Sequence, residues 1–184
     1  MFERVAEVFE RAEARAASPG PLRITDDGIF LATPLEVATE ALEALRDGLG
    51  PRPRLLDAGM GDGRVVALAQ LLGFDAFGLE TDAALFASAS ASLRELEVSS
   101  KIGTGSFLEP ASYGALGVGP HELDVVMNYP DGNEGALGAF FAARGRKGAV
   151  VAFLTPDMGL RCPALGLERT VALGSRFRLY VHRV

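Results

Sequence analysis

Apolar positions recur at helical spacing in residues 2 to 16, where Phe2, Val5, Phe9, Ala12 and Ala16 share one face and Glu and Arg occupy the other. Ser18-Pro19-Gly20-Pro21 breaks that pattern, and an irregular stretch through Asp26-Asp27-Gly28 leads to Phe30-Leu31-Ala32-Thr33-Pro34. Thr33 and Glu36 have the spacing of a capping box with Pro34 at the first helical position, which predicts a second helix running to Asp47-Gly48. From residue 54 short apolar runs alternate with helical segments, the pattern of a parallel sheet covered on both faces. The predicted strands are 54–58, 75–80, 100–104, 123–128 and 148–154, and the predicted helices 63–72, 82–97 and 133–143. Beyond 155 the rhythm changes. Residues 156 to 166 hold two prolines and two glycines and are too short for another helix, and 167–173 and 176–183 alternate as an antiparallel pair closing one edge.

Composition narrows the class. A chain of 184 residues, 48% of them hydrophobic, has room for one core, and no repeat or linker divides it. A single domain over 1–184 is expected, with helices and a covering segment in 1–50 and the sheet core in 51–184. No run approaches the roughly 18 apolar residues of a membrane helix. The N-terminus alternates acids and bases as far as Arg15, and Cys162 is the only cysteine, so a cytoplasmic protein without an internal disulfide is expected. Sixteen of the 18 bases are Arg, the bias of a GC-rich, bacterial genome.

Charge adds a second constraint. Net charge is −6, which argues against general binding of nucleic acid or anionic membrane. The distribution is uneven, however: residues 1–143 carry 22 acids and 10 bases, and 144–184 carry 8 bases and 2 acids. A nucleic-acid segment or acidic surface docking on Arg161, Arg176 and Arg178 therefore stays open.

The most informative stretch is Asp57-Ala58-Gly59-Met60-Gly61-Asp62-Gly63-Arg64, where a strand ends, three alternate glycines permit a tight turn, and a helix follows. Dinucleotide sites favour GxGxxG facing a pyrophosphate. Here acids flank the turn at Asp57 and Asp62, where they would repel a pyrophosphate and suit a ligand bearing an ammonium and a sulfonium. Glu80, ending the second strand, is placed for the hydroxyls of a ribose and would repel a 2′-phosphate. One Cys and two His cannot assemble a familiar zinc site, so no metal is expected. His121 is expected in a solvated loop and His182 on the last strand.

The run Asp57 to Arg64 followed by Gly78-Leu79-Glu80 resembles the first two motifs of the class I S-adenosylmethionine-dependent methyltransferases, and the element order from 54 to 183 is similar to their Rossmann-like, seven-stranded, mostly parallel sheet with an antiparallel edge strand. The resemblance implies S-adenosyl-L-methionine as cofactor. It implies that Asp57, Gly59, Met60, Gly61, Asp62 and Gly63 meet its methionine portion, that Glu80 holds its ribose, and that Thr81 and Asp82 lie near its adenine. Gly105-Ser106-Phe107 falls at the family's third motif, with Ser106 in place of an acid. Phe30-Leu31-Ala32-Thr33-Pro34-Leu35-Glu36-Val37 is similar to a segment of small archaeal-type protein-lysine methyltransferases. That likeness implies that Phe30 and Thr33 fold over the cofactor and that the last crossover helix is missing. Ala32 departs from the proline of that pattern.

Ligands of parallel sheets bind beyond the strands' carboxyl ends, which puts Asn128-Tyr129-Pro130-Asp131 at the reacting methyl. This tetrapeptide is similar, with Tyr out of order, to the Asn-Pro-Pro-Tyr signature of amino-methylating enzymes. Asn128 is also expected against the cofactor, Tyr129 to orient an acceptor nitrogen, and Asp131 to attract its cation or take its proton. The expected activity is methyl transfer to a nitrogen of a protein lysine or small amine. Methylation of a nucleobase amino group or small-molecule oxygen, a non-catalytic cofactor-binding module, and a dehydrogenase stay open, as does the oligomeric state.

Overall fold

The structure, a computed structural model, describes residues 2–15, 22–25, 28–156, 159–160 and 162–184, with side chains described outside 22–29. Helix α1 spans Phe2–Arg15. Its buried face is Val5, Val8 and Phe9, whereas Phe2 is 40% exposed and does not join the predicted apolar face. Ala16, Ser18 to Pro21, Asp26, Asp27 and Arg161 lie outside the described residues.

The stretch expected to be irregular contains a hairpin. Strand β1 (Leu22–Thr25) pairs antiparallel with β2 (Gly28–Leu31), with Thr25 opposite Gly28 and Leu22 opposite Leu31. The second helix, α2, runs Leu35–Arg46. Its cap is Pro34, in extended conformation and without a side-chain hydrogen bond, so Thr33 does not cap it. The first turn is closed by the Pro34 carbonyl accepting from the Ala38 N–H at 2.9 Å.

The remainder is the expected alternation: β3 (Arg54–Ala58), α3 (Arg64–Leu71), β4 (Asp75–Glu80), α4 (Ala83–Glu95), β5 (Lys101–Thr104), α5 (Ser112–Leu116), β6 (Val125–Asn128), α6 (Glu134–Arg144), β7 (Val150–Pro156), β8 (Gly166–Leu173) and β9 (Phe177–Arg183). The short α5 and a 3-10 turn at Pro120–Glu122, which holds the exposed His121, were outside the predicted set. The seven strands are ordered β5-β4-β3-β6-β7-β9-β8. The first five are parallel. The predicted pair closes the other side, β9 running antiparallel between β7 and the edge strand β8. Between β7 and β8 the described residues contain no helix.

Successive residues of central strands face opposite layers. Leu55, Val125 and Ala152 meet Phe9, Leu42, Leu68 and Leu93 of α1 to α4. Leu56, Val126 and Phe153 meet Tyr113, Leu116 and Phe141 of α5 and α6 on the other side. His182 is buried on this second side, edge-on to Phe153 with ring centroids 5.7 Å apart. The chain leaves β3 toward β4 on one side, and β6 takes the place on β3's other side, so the order reverses at β3. Ligands of open parallel sheets bind beyond the carboxyl ends at this reversal. No helix among the described residues is long and apolar enough to cross a membrane.

Candidate active site

A cavity of about 570 Å³ opens at that reversal, within the size range of small-molecule sites. Asp57, Gly59 and Met60 line it from the end of β3, and Leu79, Glu80 and Thr81 from the end of β4. Gly105 and Phe107 contribute from beyond β5, Met127, Tyr129, Pro130 and Asp131 from β6 and the loop after it, and Thr155 and Pro156 from β7. Phe30, Leu31 and Thr33 cover it from the hairpin side.

The turn at Gly59 to Gly63 is tied to β4. Gly59 and Met60 N–H donate to the Leu79 carbonyl at 3.0 and 2.9 Å, and Gly61 N–H donates to Glu80 Oε2 at 2.8 Å. All three glycines have left-handed φ, +77°, +56° and +85°, a conformation that costs other residues roughly 1–2 kcal/mol. Their surroundings differ. Gly59 lines the cavity beside Phe107 and Asn128, a Cβ at Gly61 would collide with the Phe30 ring, and a Cβ at Gly63 would sit 3.0 Å from Ala89 on α4. Thus one glycine faces the cavity, one lies under the hairpin, and one admits a helix.

Glu80 is buried. Its Oε1 accepts from the N–H of Thr81 and of Asp82, both at 2.9 Å, in addition to the Gly61 bond on Oε2. A carboxylate offers about four lone-pair sites, so capacity toward a ligand hydroxyl remains on Oε2. Asp57 is also buried, and its pKa is raised well above the ordinary carboxylate value, by burial first and then by the charges of Glu80 and Asp62. A bound ammonium would reverse that cost, because an adjacent cation favours the ionised form.

Asp62 is 1% exposed, and its carboxylate is engaged by Arg64. Arg64 Nε donates to Asp62 Oδ1 at 3.0 Å and Nη2 donates to Oδ2 at 2.6 Å. The same guanidinium reaches Glu13 Oε1 at 2.5 Å and the Thr33 carbonyl at 3.1 Å, and lies over the Phe9 ring. Asp62 therefore neutralises an internal cation, and among the described residues the acids that line the cavity without an ion-pair partner are Asp57, Glu80 and Asp131.

Asn128 stands just behind the cavity wall. Its Nδ2 donates to the Ala58 carbonyl at 2.8 Å, fixing β6 to the end of β3, while Oδ1 is buried with no partner among the described residues. Ser106 is likewise not a lining residue, and its hydroxyl accepts from Leu108 N–H at 3.2 Å. Asp82 caps α4 by accepting from Leu85 N–H at 2.8 Å. Tyr129 is half-buried, which pushes its phenol pKa up. Asp131 is exposed at the mouth and accepts from Asn133 N–H at 3.0 Å.

Sequence reasoning missed Arg64, Thr155 and Pro156. A cation in a helix's first turn opposes the helix dipole, so an arginine directly after the third glycine was itself a sign of acid partners. Thr155 and Pro156 follow from the switch-point rule once β7 extends to 156.

No protein-family model and no curated protein sequence matches the chain. Solved structures do. An RNA methyltransferase from Salinibacter ruber, in complex with S-adenosyl-L-homocysteine, matches with TM-score 0.65 and 25% identity over 84% of this chain and 94% of its own. The fold is that of the S-adenosylmethionine-dependent methyltransferases. The rRNA methyltransferase aviRa from Streptomyces viridochromogenes matches at TM-score 0.65 and 19% identity, covering 83% of this chain and 86% of its own. Geranyl diphosphate C-methyltransferase from Streptomyces coelicolor A3(2), in complex with Mg2+, geranyl diphosphate and S-adenosyl-L-homocysteine, matches at 0.61 and 13%, covering 79% and 77%.

The cavity's lining is compatible with the cofactor of such a methyltransferase fold. A buried carboxyl at Asp57 suits an ammonium, Glu80 suits a hydroxyl, and Leu79, Leu85 and Phe107 give an apolar wall for a flat heterocycle.

Proposed function

We propose that this protein is an enzyme that transfers the methyl group of S-adenosylmethionine to a nitrogen of a protein lysine or small amine. The observation that carries the acceptor is that Tyr129 and Asp131 line the same cavity as Asp57 and Glu80, which makes its outer end aromatic and acidic. When bound, the cofactor supplies an electrophilic methyl on a sulfonium. The chain's own contribution is binding and alignment, which provide most of the acceleration in an in-line displacement. Asp57 and Glu80 bind the cationic and hydroxyl groups, and Asn128 positions the end of β3 by holding the Ala58 carbonyl. Asp131 at the mouth attracts an ammonium and takes its proton, directly or through water, which frees the nitrogen lone pair. Tyr129, its phenol neutral at physiological pH, orients that nitrogen by hydrogen bonding.

A second reading, an RNA acceptor, is favoured by two observations. Arg176 lies in the turn beside the end of β7, and Arg178 pairs in register with the cavity residue Thr155; two similar structures are named as RNA methyltransferases. Labelled S-adenosylmethionine incubated with the protein and fractionated cell extract separates the readings. Label in protein or small amines supports the first, and label confined to RNA that is lost in Arg176→Glu/Arg178→Glu supports the second. For the amine reading, Asp131→Asn should lower turnover by roughly 10²-fold, the low end for a lost general base. Full turnover by that variant from about pH 6 to 10 would remove Asp131 from the chemistry.

A further inference from the structure

The β1–β2 hairpin lies over the glycine turn through Phe30, whose ring occupies the space beside Gly61. The two-stranded hairpin is a sheet of its own, and an isolated hairpin is at best marginally stable. Something else must hold it where Phe30 can line the cavity. Its two chain flanks meet at one side chain. Glu13, on α1 before the hairpin, and Thr33, two residues after it, are both bonded by the Arg64 guanidinium, at 2.5 and 3.1 Å. Arg64 is in turn fixed to the glycine turn by its paired bonds to Asp62 and held against Phe9. All three of its nitrogens are engaged in this way.

We propose that Arg64 is a positioning residue for the cofactor site: it clasps both flanks of the β1–β2 hairpin to the glycine turn, and so sets Phe30 over the cavity. The inference rests on the reading of this cavity as the cofactor site. Arginine is required because a planar fork with several fixed donors serves three acceptors in different directions, which a lysine ammonium on a flexible stem cannot do. The clasp has a weak side. Asp62 is fully enclosed, whereas the Glu13 side chain is 28% exposed, so opening begins at Glu13 and leaves the Asp62 pair in place.

The test compares wild type with Glu13→Gln, Arg64→Lys and Arg11→Gln. Arg11 bonds Glu95 at 2.6 Å and fastens the same helix α1 to α4 without touching Arg64, so Arg11→Gln reports general loosening of α1. Hydrogen exchange on the proteins without cofactor should show faster exchange of the amides of residues 29–33 in Glu13→Gln and Arg64→Lys, and not in Arg11→Gln. Calorimetry with S-adenosyl-L-homocysteine should show a dissociation constant raised about tenfold in Glu13→Gln, as for one charge-assisted bond, at least as much in Arg64→Lys, and near wild type in Arg11→Gln. Unchanged exchange in the two clasp variants, or equal losses in Arg11→Gln, would overturn the clasp. Wild-type protein that fails to bind S-adenosyl-L-homocysteine would instead overturn the reading of the cavity, and with it this role for Arg64.

Discussion

Glu80 and Asp57 show how two buried carboxyl groups at adjacent strand ends take opposite tasks. Glu80 accepts three backbone N–H groups, so it organises the glycine turn before any ligand arrives. Glu80→Ala would leave those donors unpaired at a cost of about 1–3 kcal/mol each, mixing lost stability with lost binding. Glu80→Gln keeps one acceptor oxygen and removes the charge. Its dissociation constant for S-adenosylmethionine is expected to rise by about one to two orders of magnitude, read by calorimetry, with a lower melting temperature. Asp57 has no hydrogen-bond partner among the described residues, and its pKa is raised by burial and then by Glu80 and Asp62. Its sign is therefore opposite to that of an ion-paired carboxylate: the stability it contributes is full below the unfolded-chain pKa and is lost as pH rises through the raised native value. Asp57→Asn should flatten that decline, so the unliganded variant melts higher than wild type at neutral pH. Cofactor binding by wild type should strengthen as pH rises through the same window, and binding by the variant should be weak and pH-independent there. Melting and calorimetric titrations against pH check both. At this scale the sequence named the acids through motif and position, while the longer-range bonds, Gly61 to Glu80 and Arg64 to Glu13, needed the fold. Asp62 could be recognised as an acid beside the turn, and its pair with Arg64 is local; that Arg64 also reaches Glu13 depended on α1 packing against α3.

Among the elements, the glycine turn was legible because left-handed backbone selects glycine, whatever the reason for the turn. The reasons proved to be three, and they predict different mutational costs. Gly61→Ala adds left-handed strain of roughly 1–2 kcal/mol to a collision with Phe30. Denaturant unfolding should show that Phe30→Ala recovers the steric part of the loss and leaves the backbone part. Recovery of the whole loss would mean that the turn is unstrained. The hairpin itself was missed because its two strands are flanked and separated by Pro, Gly and Asp residues that read as breakers of an irregular stretch. The five-residue α5, with a glycine at its centre, escaped for the same reason. Thr33 was expected as a cap because its spacing from Glu36 fits a capping box. Instead Pro34, with φ −57° and ψ 133°, stands at the cap and the helix begins one residue later. The Thr33 carbonyl is bonded by Arg64, a long-range demand that spacing does not express.

Over the whole molecule, sheet polarity divides the basic C-terminal segment. Arg176 and Arg178 stand at the cavity end of β7. Arg183 lies at the opposite end, where it pairs with Glu168 through two bonds of 2.6 and 2.8 Å and donates to the Gly148 carbonyl, and Arg146 pairs there with Asp124. Surface pairs of this exposure contribute less than about 1 kcal/mol and weaken in salt. Arg183→Gln should accordingly lower stability by no more than that in urea titrations, less at high salt, and leave methyl transfer unchanged. A loss of activity in that variant would mean that the two ends of the sheet are coupled. The net charge of −6 thus conceals a local arrangement that only the topology reveals.

The sequence by itself determined the parallel strands, the antiparallel closing pair and the position of the cavity, because hydrophobic periodicity, glycine conformation and strand-end chemistry are local signals that survive without coordinates. Tertiary structure alone decided which acids line the cavity without an ion-pair partner among the described residues, which glycine faces it, and that Phe30, Leu31 and Thr33 return to cover it. Those outcomes depend on which side chains arrive from distant elements. A carboxylate reads the same in a sequence whether it lines a cavity, as Asp57 does, or is held by an arginine that also reaches α1, as Asp62 is.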